Sequence, residues 1–277
     1  MPDTGVAAGP PRIADAFSSH GRSAALMPYL MGGFPDAASS LRVGEAYAES
    51  GADLVELGVP FSDPLADGPA IQAAGHRALA AGATLERVLG EVAAPLSDRV
   101  PVVLMCYANP LLARGIDAVP ALLARHGVSG LIVPDLPAVE AGDLREACDE
   151  AEVALVPLVA PTTPPDEVER IAQAARGFVY VVSVTGVTGE RAALPPGLAE
   201  VVERVRAAAR VPAAVGFGVG TPEQAAEVGR IADGVIVGSR LVRAIADAEN
   251  LEQGLEDVRS FLSDSVRALS APFTSDR

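Results

Sequence analysis

Asp53-Leu-Val-Glu-Leu-Gly-Val-Pro-Phe-Ser-Asp-Pro-Leu-Ala-Asp67-Gly-Pro-Ala-Ile-Gln72 begins as a buried strand and ends at the start of a helix. The apolar run Leu54–Leu57 carries one carboxylate, Glu56, in its middle, and the loop that follows holds Asp63 and Asp67. A charge in a run that otherwise reads as buried costs several kcal/mol unless it is paired, so it is rarely accidental. If Leu54–Leu57 is a barrel strand, Glu56 lies near its carboxyl end and points into the mouth, with Asp67 on the same face. An apolar setting raises a carboxyl pKa and lets it act as an acid near neutral pH, so Glu56 and Asp67 form a candidate acid/base pair. The plainer alternative makes Glu56 a buried carboxylate paired with Arg and Asp67 a turn or helix-cap residue. Asp53 is expected to cap or pair near the strand start, and Asp63 to face solvent.

Outward from this stretch, short apolar runs recur, most of them continuous rather than alternating, as in parallel strands buried on both faces. The strands expected are Leu26–Met31, Leu54–Leu57, Val102–Met105, Gly130–Val133, Ala154–Val159, Phe178–Val182, Ala213–Phe217 and Gly234–Val237. Amphipathic segments separate them: Ala37–Glu49, Val139–Glu150, Pro165–Ala175, Leu198–Ala209 and Pro222–Arg230. Thr221-Pro222-Glu223-Gln224 offers a Thr cap, Pro at the first helical position and Gln at the third. At roughly one repeat per 30–35 residues, this is the pattern of a single-domain (β/α)8 TIM barrel. An open doubly wound sheet is the alternative, because strand order is not written in one sequence. Two extra helices interrupt the alternation: Arg12–Ser19, placed to plug the barrel bottom, and Ala70–Ala80, ahead of a helix starting near Thr84. The catalytic barrel is expected over residues 11–269, with a flexible extension at 1–10 and a flexible tail at 270–277.

The 277 residues are 49% hydrophobic, enough for a large core, and 4% aromatic with no Trp, so packing is mainly aliphatic. A formal charge of -15 argues against nucleic acid or an anionic membrane as partner. All 21 basic residues are Arg. Without lysine the chain has no amine for Schiff-base aldolase chemistry or covalent pyridoxal phosphate, and a bound phosphate must rest on backbone N–H groups or Arg. Cys106 and Cys148 stand in no paired or metal-type spacing, and His20, His76 and His126 lie far apart, so no metal site is visible. No apolar run reaches the length of a membrane span, and the expectation is a cytoplasmic protein.

Three glycine-bearing turns follow the last three expected strands: Ser183-Val-Thr-Gly-Val-Thr-Gly189, Gly216-Phe-Gly-Val-Gly220 and Gly238-Ser239. The last opens the helical pattern Arg240–Asp247, and a strand–Gly–Ser–helix junction at the end of a barrel suits a phosphate. Each turn taken singly is also explained as a tight turn. Gly216-x-Gly218-x-Gly220 lacks the spacing of a dinucleotide loop.

The stretch from Glu56 to Pro69 closely resembles the signature of the tryptophan synthase alpha chain family. The likeness continues through Tyr107-Ala-Asn-Pro110, Asp135-Leu-Pro137, the Ser183–Gly189 turn, Gly216-Phe-Gly218 and Gly238-Ser239, in the family's order, from about Ala25 to Phe261. It implies a lyase that cleaves indole-3-glycerol phosphate to indole and glyceraldehyde 3-phosphate, a retro-aldol reaction without metal or cofactor. By the resemblance Glu56 is the main acid/base and Asp67 binds the indole N–H. Tyr29, Met105, Ile132, Tyr180 and Phe217 line the indole slot. Gly189, Gly218, Gly238 and Ser239 hold the phosphate, and Thr188 helps close the site. The resemblance also implies a pyridoxal-phosphate beta chain as partner in an alpha2beta2 assembly, facing Pro60–Asp67 and Tyr107–Pro110. A free-standing lyase and a non-catalytic activating subunit are the competing readings. Met31, Cys106 and Arg240 depart from the family's usual residues; Arg240 either adds a cation beside the phosphate or reaches solvent.

Overall fold

The computed structural model of the chain describes residues 9–182, 194–216 and 218–271. Within them nine short parallel strands form one sheet: β1 (Ala25–Met31), β2 (Val55–Gly58), β3 (Val102–Met105), β4 (Val128–Ile132), β5 (Ala154–Leu155), β6 (Leu158–Val159), β7 (Val179–Val182), β8 (Ala213–Gly216) and β9 (Gly234–Val237). Their order is β5-β4-β3-β2-β1-β9-β8-β7-β6, so the first and last long strands, β1 and β9, are neighbours. That adjacency rules out the doubly wound sheet. β5 and β6 are the two halves of the run expected as one strand, Ala154–Val159, and the chain itself closes the ring between them. The break has a local cause. Pro157 has no N–H to give a ladder, and the partner changes at this point: Val156 N donates to Leu131 O of β4 at 2.9 Å, while Pro157 O accepts from Tyr180 N of β7 at 2.9 Å. The molecule is therefore an eight-stave (β/α)8 barrel with one stave broken at a proline.

Alternation along the staves builds two cores. In β1, Leu26 and Leu30 face the helices while Ala25 and Met27 face the barrel axis; in β2, Val55 and Leu57 face outward and Leu54, just before the strand, inward. The lower axis is filled by Met27, Leu54, Val103, Ala154, Phe178 and Ala214. A helix at Gly9–Ser18 closes the amino-terminal end. It starts earlier than the expected Arg12, inside the expected extension of residues 1–10, because Pro10 and Pro11 fall in the first turn, where a missing N–H costs nothing. Gly9 is obligatory there, since a Cβ would lie 2.4 Å from Ser129 O and 2.6 Å from Glu152 O. Ile13, fully buried, enters the barrel from this helix, as the plug expectation required.

Other features follow the sequence closely. Asp53 accepts from Leu26 N at 2.7 Å and pairs with Arg22, fixing the starts of β1 and β2. Thr221 and Gln224 form a reciprocal capping box on the helix Pro222–Gly229. Some boundaries shift: the helix expected from Val139 begins at Gly142. Helices at Ala108–Leu112, Ala118–Arg125 and Leu251–Ser270 go beyond the expected set. No helix among the described residues is long and apolar enough to cross a membrane.

Candidate active site

At the carboxyl ends of the strands the barrel opens into a cavity of about 410 Å³. Its wall includes Tyr29 from β1, Glu56 from β2, Met105 from β3, Tyr180 and Val182 from β7, Gly216 from β8 and Ile236 from β9. Glu56 stands directly opposite Tyr29 in the β1–β2 register. It is 2% exposed and its Oε2 has no hydrogen-bond partner. Among the described residues no Arg pairs with it, so the structure does not bear out the buried ion pair. Burial, and secondarily the charge of Asp67, raise the Glu56 pKa to about 8.

Asp67 reaches the cavity from the loop after β2. It is also buried, and its pKa rises to about 6 through desolvation, opposed by a hydrogen bond from Tyr107. It does not cap the following helix Pro69–Ala80, whose cap is Gly68 without a side-chain bond. Instead the loop is tied from behind: Gln72 Nε2 donates to Asp67 O at 2.9 Å and to Pro64 O at 3.3 Å. Asp63 is exposed, as expected. The two acids thus differ in state near neutral pH, Glu56 mostly protonated and Asp67 mostly ionised.

The aromatic walls are set by glycines whose purpose lies across the sheet. A Cβ on Gly58 would fall 2.0 Å from the Tyr29 hydroxyl, and one on Gly216 would fall 2.4 Å from the Tyr180 hydroxyl. Both tyrosines have pKa values raised by burial, with Glu56 and Asp67 adding to the rise, so they stay protonated beside the acids. Gly238 is different. A Cβ there would make only ordinary contacts, 3.7 Å to Ile71 and to Tyr29, so packing does not demand glycine at this position on the cavity wall. Gly238 and the buried Ser239 begin the helix Ser239–Ala246, whose N-terminal end lies on the cavity together with Gly218.

The structure therefore brings together Tyr29, Glu56, Asp67, Met105, Tyr180, Gly218, Gly238 and Ser239. Ile132 does not line the cavity: it is fully buried in the axial core against which Met105, Leu158 and Tyr180 pack. Phe217, Thr188 and Gly189 lie outside the described residues. The cavity also uses Leu65, Ala66, Ile71, Pro134 and Leu158, which sequence reasoning did not single out. Of these, Leu158 lay in the expected strand Ala154–Val159 and Ile71 in the expected helix Ala70–Ala80, while Leu65, Ala66 and Pro134 lie in loops. A second crevice, about 460 Å³ and lined by Val133–Ala138, Arg145 and Arg170 among others, adjoins it at Pro134 and Leu158 and lacks a buried acid pair.

The departures from the family pattern have structural settings. Met31 fills a small core with Phe34, Ile71, Ala74 and Val242, its Sδ 4.0 Å from the Tyr29 hydroxyl. Cys106 is buried, its thiol pushed up to about 12 chiefly by desolvation. Arg240 makes a bidentate pair with Asp257, at 2.7 and 3.0 Å, and lies over the Phe261 ring.

Two desolvated carboxyl groups with raised pKa values, at the carboxyl-end mouth of a closed parallel barrel, are the arrangement of an enzyme of the (β/α)8 class. Sequence comparison narrows the class. The family model described as tryptophan synthase alpha chain matches residues 16–269. A tryptophan synthase alpha chain of Prochlorococcus marinus is 45% identical over 254 residues, covering 90% of this chain and 92% of that one. One from Roseiflexus castenholzii is 48% identical over 239 residues, covering 84% and 91%. Among solved structures, Mycobacterium tuberculosis tryptophan synthase superposes with a TM-score of 0.84 at 37% identity, covering 94% of this chain and 99% of that one. The alpha chain of Legionella pneumophila gives 0.84 at 32% identity, covering 95% and 98%. The chain belongs to the tryptophan synthase alpha chain family, and it is a carbon–carbon lyase of that family's reaction, the cleavage of indole-3-glycerol phosphate to indole and glyceraldehyde 3-phosphate in tryptophan biosynthesis.

Proposed function

We propose that Glu56 is the proton donor and acceptor of this cleavage and that Asp67 stabilises the charge it creates. The observation that carries the assignment is the split between two buried acids at one mouth, the first raised to about 8 and the second to about 6. Glu56, as the carboxylic acid, protonates the indole ring carbon that bears the glycerol side chain. The Asp67 carboxylate accepts a hydrogen bond from the indole N–H and offsets the positive charge that spreads over the ring. The Glu56 carboxylate then takes the proton of the side-chain hydroxyl next to the ring. As that oxygen becomes an aldehyde, the carbon–carbon bond breaks and its electrons return to the ring. Indole and glyceraldehyde 3-phosphate leave, and Glu56 is again protonated.

Tyr29, Met105 and Tyr180 would form the slot for the ring, with Ile132 supporting it from below. Gly218, Gly238 and Ser239 would hold the phosphate, largely through backbone N–H groups at a helix start. By family resemblance Phe217, Gly189 and Thr188 complete the slot, the phosphate site and the closure. The partner we assign is a tryptophan synthase beta chain, in an alpha2beta2 assembly. Among the described residues the large exposed hydrophobics are Leu65, Leu112 and Val139, in the segments after β2, β3 and β4. Leu65 and Leu112 lie in or next to the two motifs that the resemblance turns toward a partner, and exposed hydrophobics there suit an interface. A cytoplasmic setting fits the two buried free thiols.

The test is indole release from indole-3-glycerol phosphate by purified protein, alone and with a beta chain. Slow release that rises strongly with the partner supports the subunit reading. Fast release indifferent to the partner would mean a free-standing lyase, and none in either case a binding subunit.

A further inference from the structure

The geometry points to Tyr107 as the positioning residue that holds the loop Pro60–Asp67, and with it the Asp67 carboxylate, over the cavity. This rests on the role proposed for Asp67. Tyr107 is buried just past β3 and meets the loop at both ends. Its ring stacks on Phe61, centroids 5.2 Å apart and planes 28° from parallel. Its hydroxyl oxygen accepts the N–H of Ala66, the residue before Asp67, at 2.9 Å. A phenol has one proton to give. With a lone pair occupied by Ala66, that proton is left for the Asp67 carboxylate, whose ionised form it favours.

Asp67 needs this help. The groups facing it are Glu56 on β2, Tyr29 on β1, Tyr180 on β7 and Tyr107. Burial opposes its ionisation, and the Tyr107 hydrogen bond favours it. Tyr107 is itself fixed from outside. Asp135 Oδ1 accepts the N–H of the next residue, Ala108, at 2.8 Å. The motifs Tyr107–Pro110 and Asp135–Pro137, which the acid pair and the glycine turns do not use, thereby gain a purpose. They run a brace from the loop after β4, through the loop after β3, to the carboxylate after β2.

Tyr107→Phe keeps the stacked ring and removes only the hydroxyl. Carbon-13 NMR of labelled aspartate carboxyls, with Asp67 assigned through Asp67→Asn, reads its titration without reference to activity. The midpoint should move up by about one pH unit, on the scale of a lost hydrogen bond to a carboxylate. The acid limb of the rate profile should move with it, so that kcat falls about tenfold below pH 6 and less at pH 7.5, with KM within about twofold. Phe61→Leu, which breaks the stack but spares the hydroxyl, should leave the midpoint in place. An unmoved Asp67 midpoint in Tyr107→Phe, or an equal shift in Phe61→Leu, overturns the inference. A shifted midpoint with an unchanged rate profile would uphold the brace and reject Asp67 as a participant in cleavage.

Discussion

Burial, with no cation paired to it among the described residues, favours the protonated form of Glu56, and the consequences can be measured in two independent ways. The first is the rate. Cleavage needs the acid form of one carboxyl and the ionised form of the other, so kcat should trace a bell between apparent values near 6 and 8 that belong to the coupled pair. Asp67→Asn should lose the acid limb and about 10² in rate, and Glu56→Gln should lose cleavage altogether. A flat profile from pH 5 to 9 would remove the basis of both roles. The second is stability. The folded pKa of Glu56 lies above its ordinary 4.5, so from pH 4.5 to about 8 the folded chain holds a proton that the unfolded chain has released. The contribution of Glu56 to stability is therefore fully present below pH 4.5 and is lost as pH rises through about 8. Glu56→Gln escapes that loss and should be the more stable protein at pH 8, by on the order of 1–3 kcal/mol, with no advantage at pH 4.5. Urea denaturation at the two pH values decides it. Glu56 was legible in the sequence because a charge in an apolar run is conspicuous. Tyr107 was legible only as part of a motif, since its contacts with Ala66, Asp67 and Phe61 come from another loop.

At the scale of elements, glycines that look alike in the sequence separate by what stands opposite them. A Cβ on Gly58 would fall 2.0 Å from the Tyr29 hydroxyl, whereas one on Gly238 would meet nothing nearer than 3.7 Å. Gly58→Ala should displace Tyr29 and cost about 1–3 kcal/mol as an overpacked site, together with a weaker grip on the indole ring. Gly238→Ala should leave the melting temperature nearly unchanged yet raise KM for the phosphate substrate about tenfold, because the methyl group enters the space kept for a ligand. Equal thermal losses in the two variants would contradict this distinction. Sequence patterns caught the capping box at Thr221 and the plug helix, because both are local. They did not show that Ala154–Val159 changes partner at Pro157, nor that Ile132 sits below the slot. Both depend on the depth and register of neighbouring staves, which no single segment records.

For the whole molecule, closure of the amino-terminal end leaves the carboxyl-end mouth as the working face. Ile13 seals the bottom from a helix outside the β/α repeat, so Ile13→Ala should cost about 2–4 kcal/mol in urea denaturation while KM stays at the wild-type value. A raised KM would mean that the plug and the mouth are coupled. Eight staves were readable from hydrophobic runs alone. Their circular order was not, because β1 and β9 pair across almost the full length of the chain. The central claim is that Glu56 performs the cleavage inside this barrel, and indole release from indole-3-glycerol phosphate by wild type and Glu56→Gln, each alone and with a tryptophan synthase beta chain, tests it most directly. Wild type should release indole slowly alone and much faster with the partner, while Glu56→Gln releases none in either setting and still activates the beta chain. Release by Glu56→Gln at a rate near that of wild type would contradict the account.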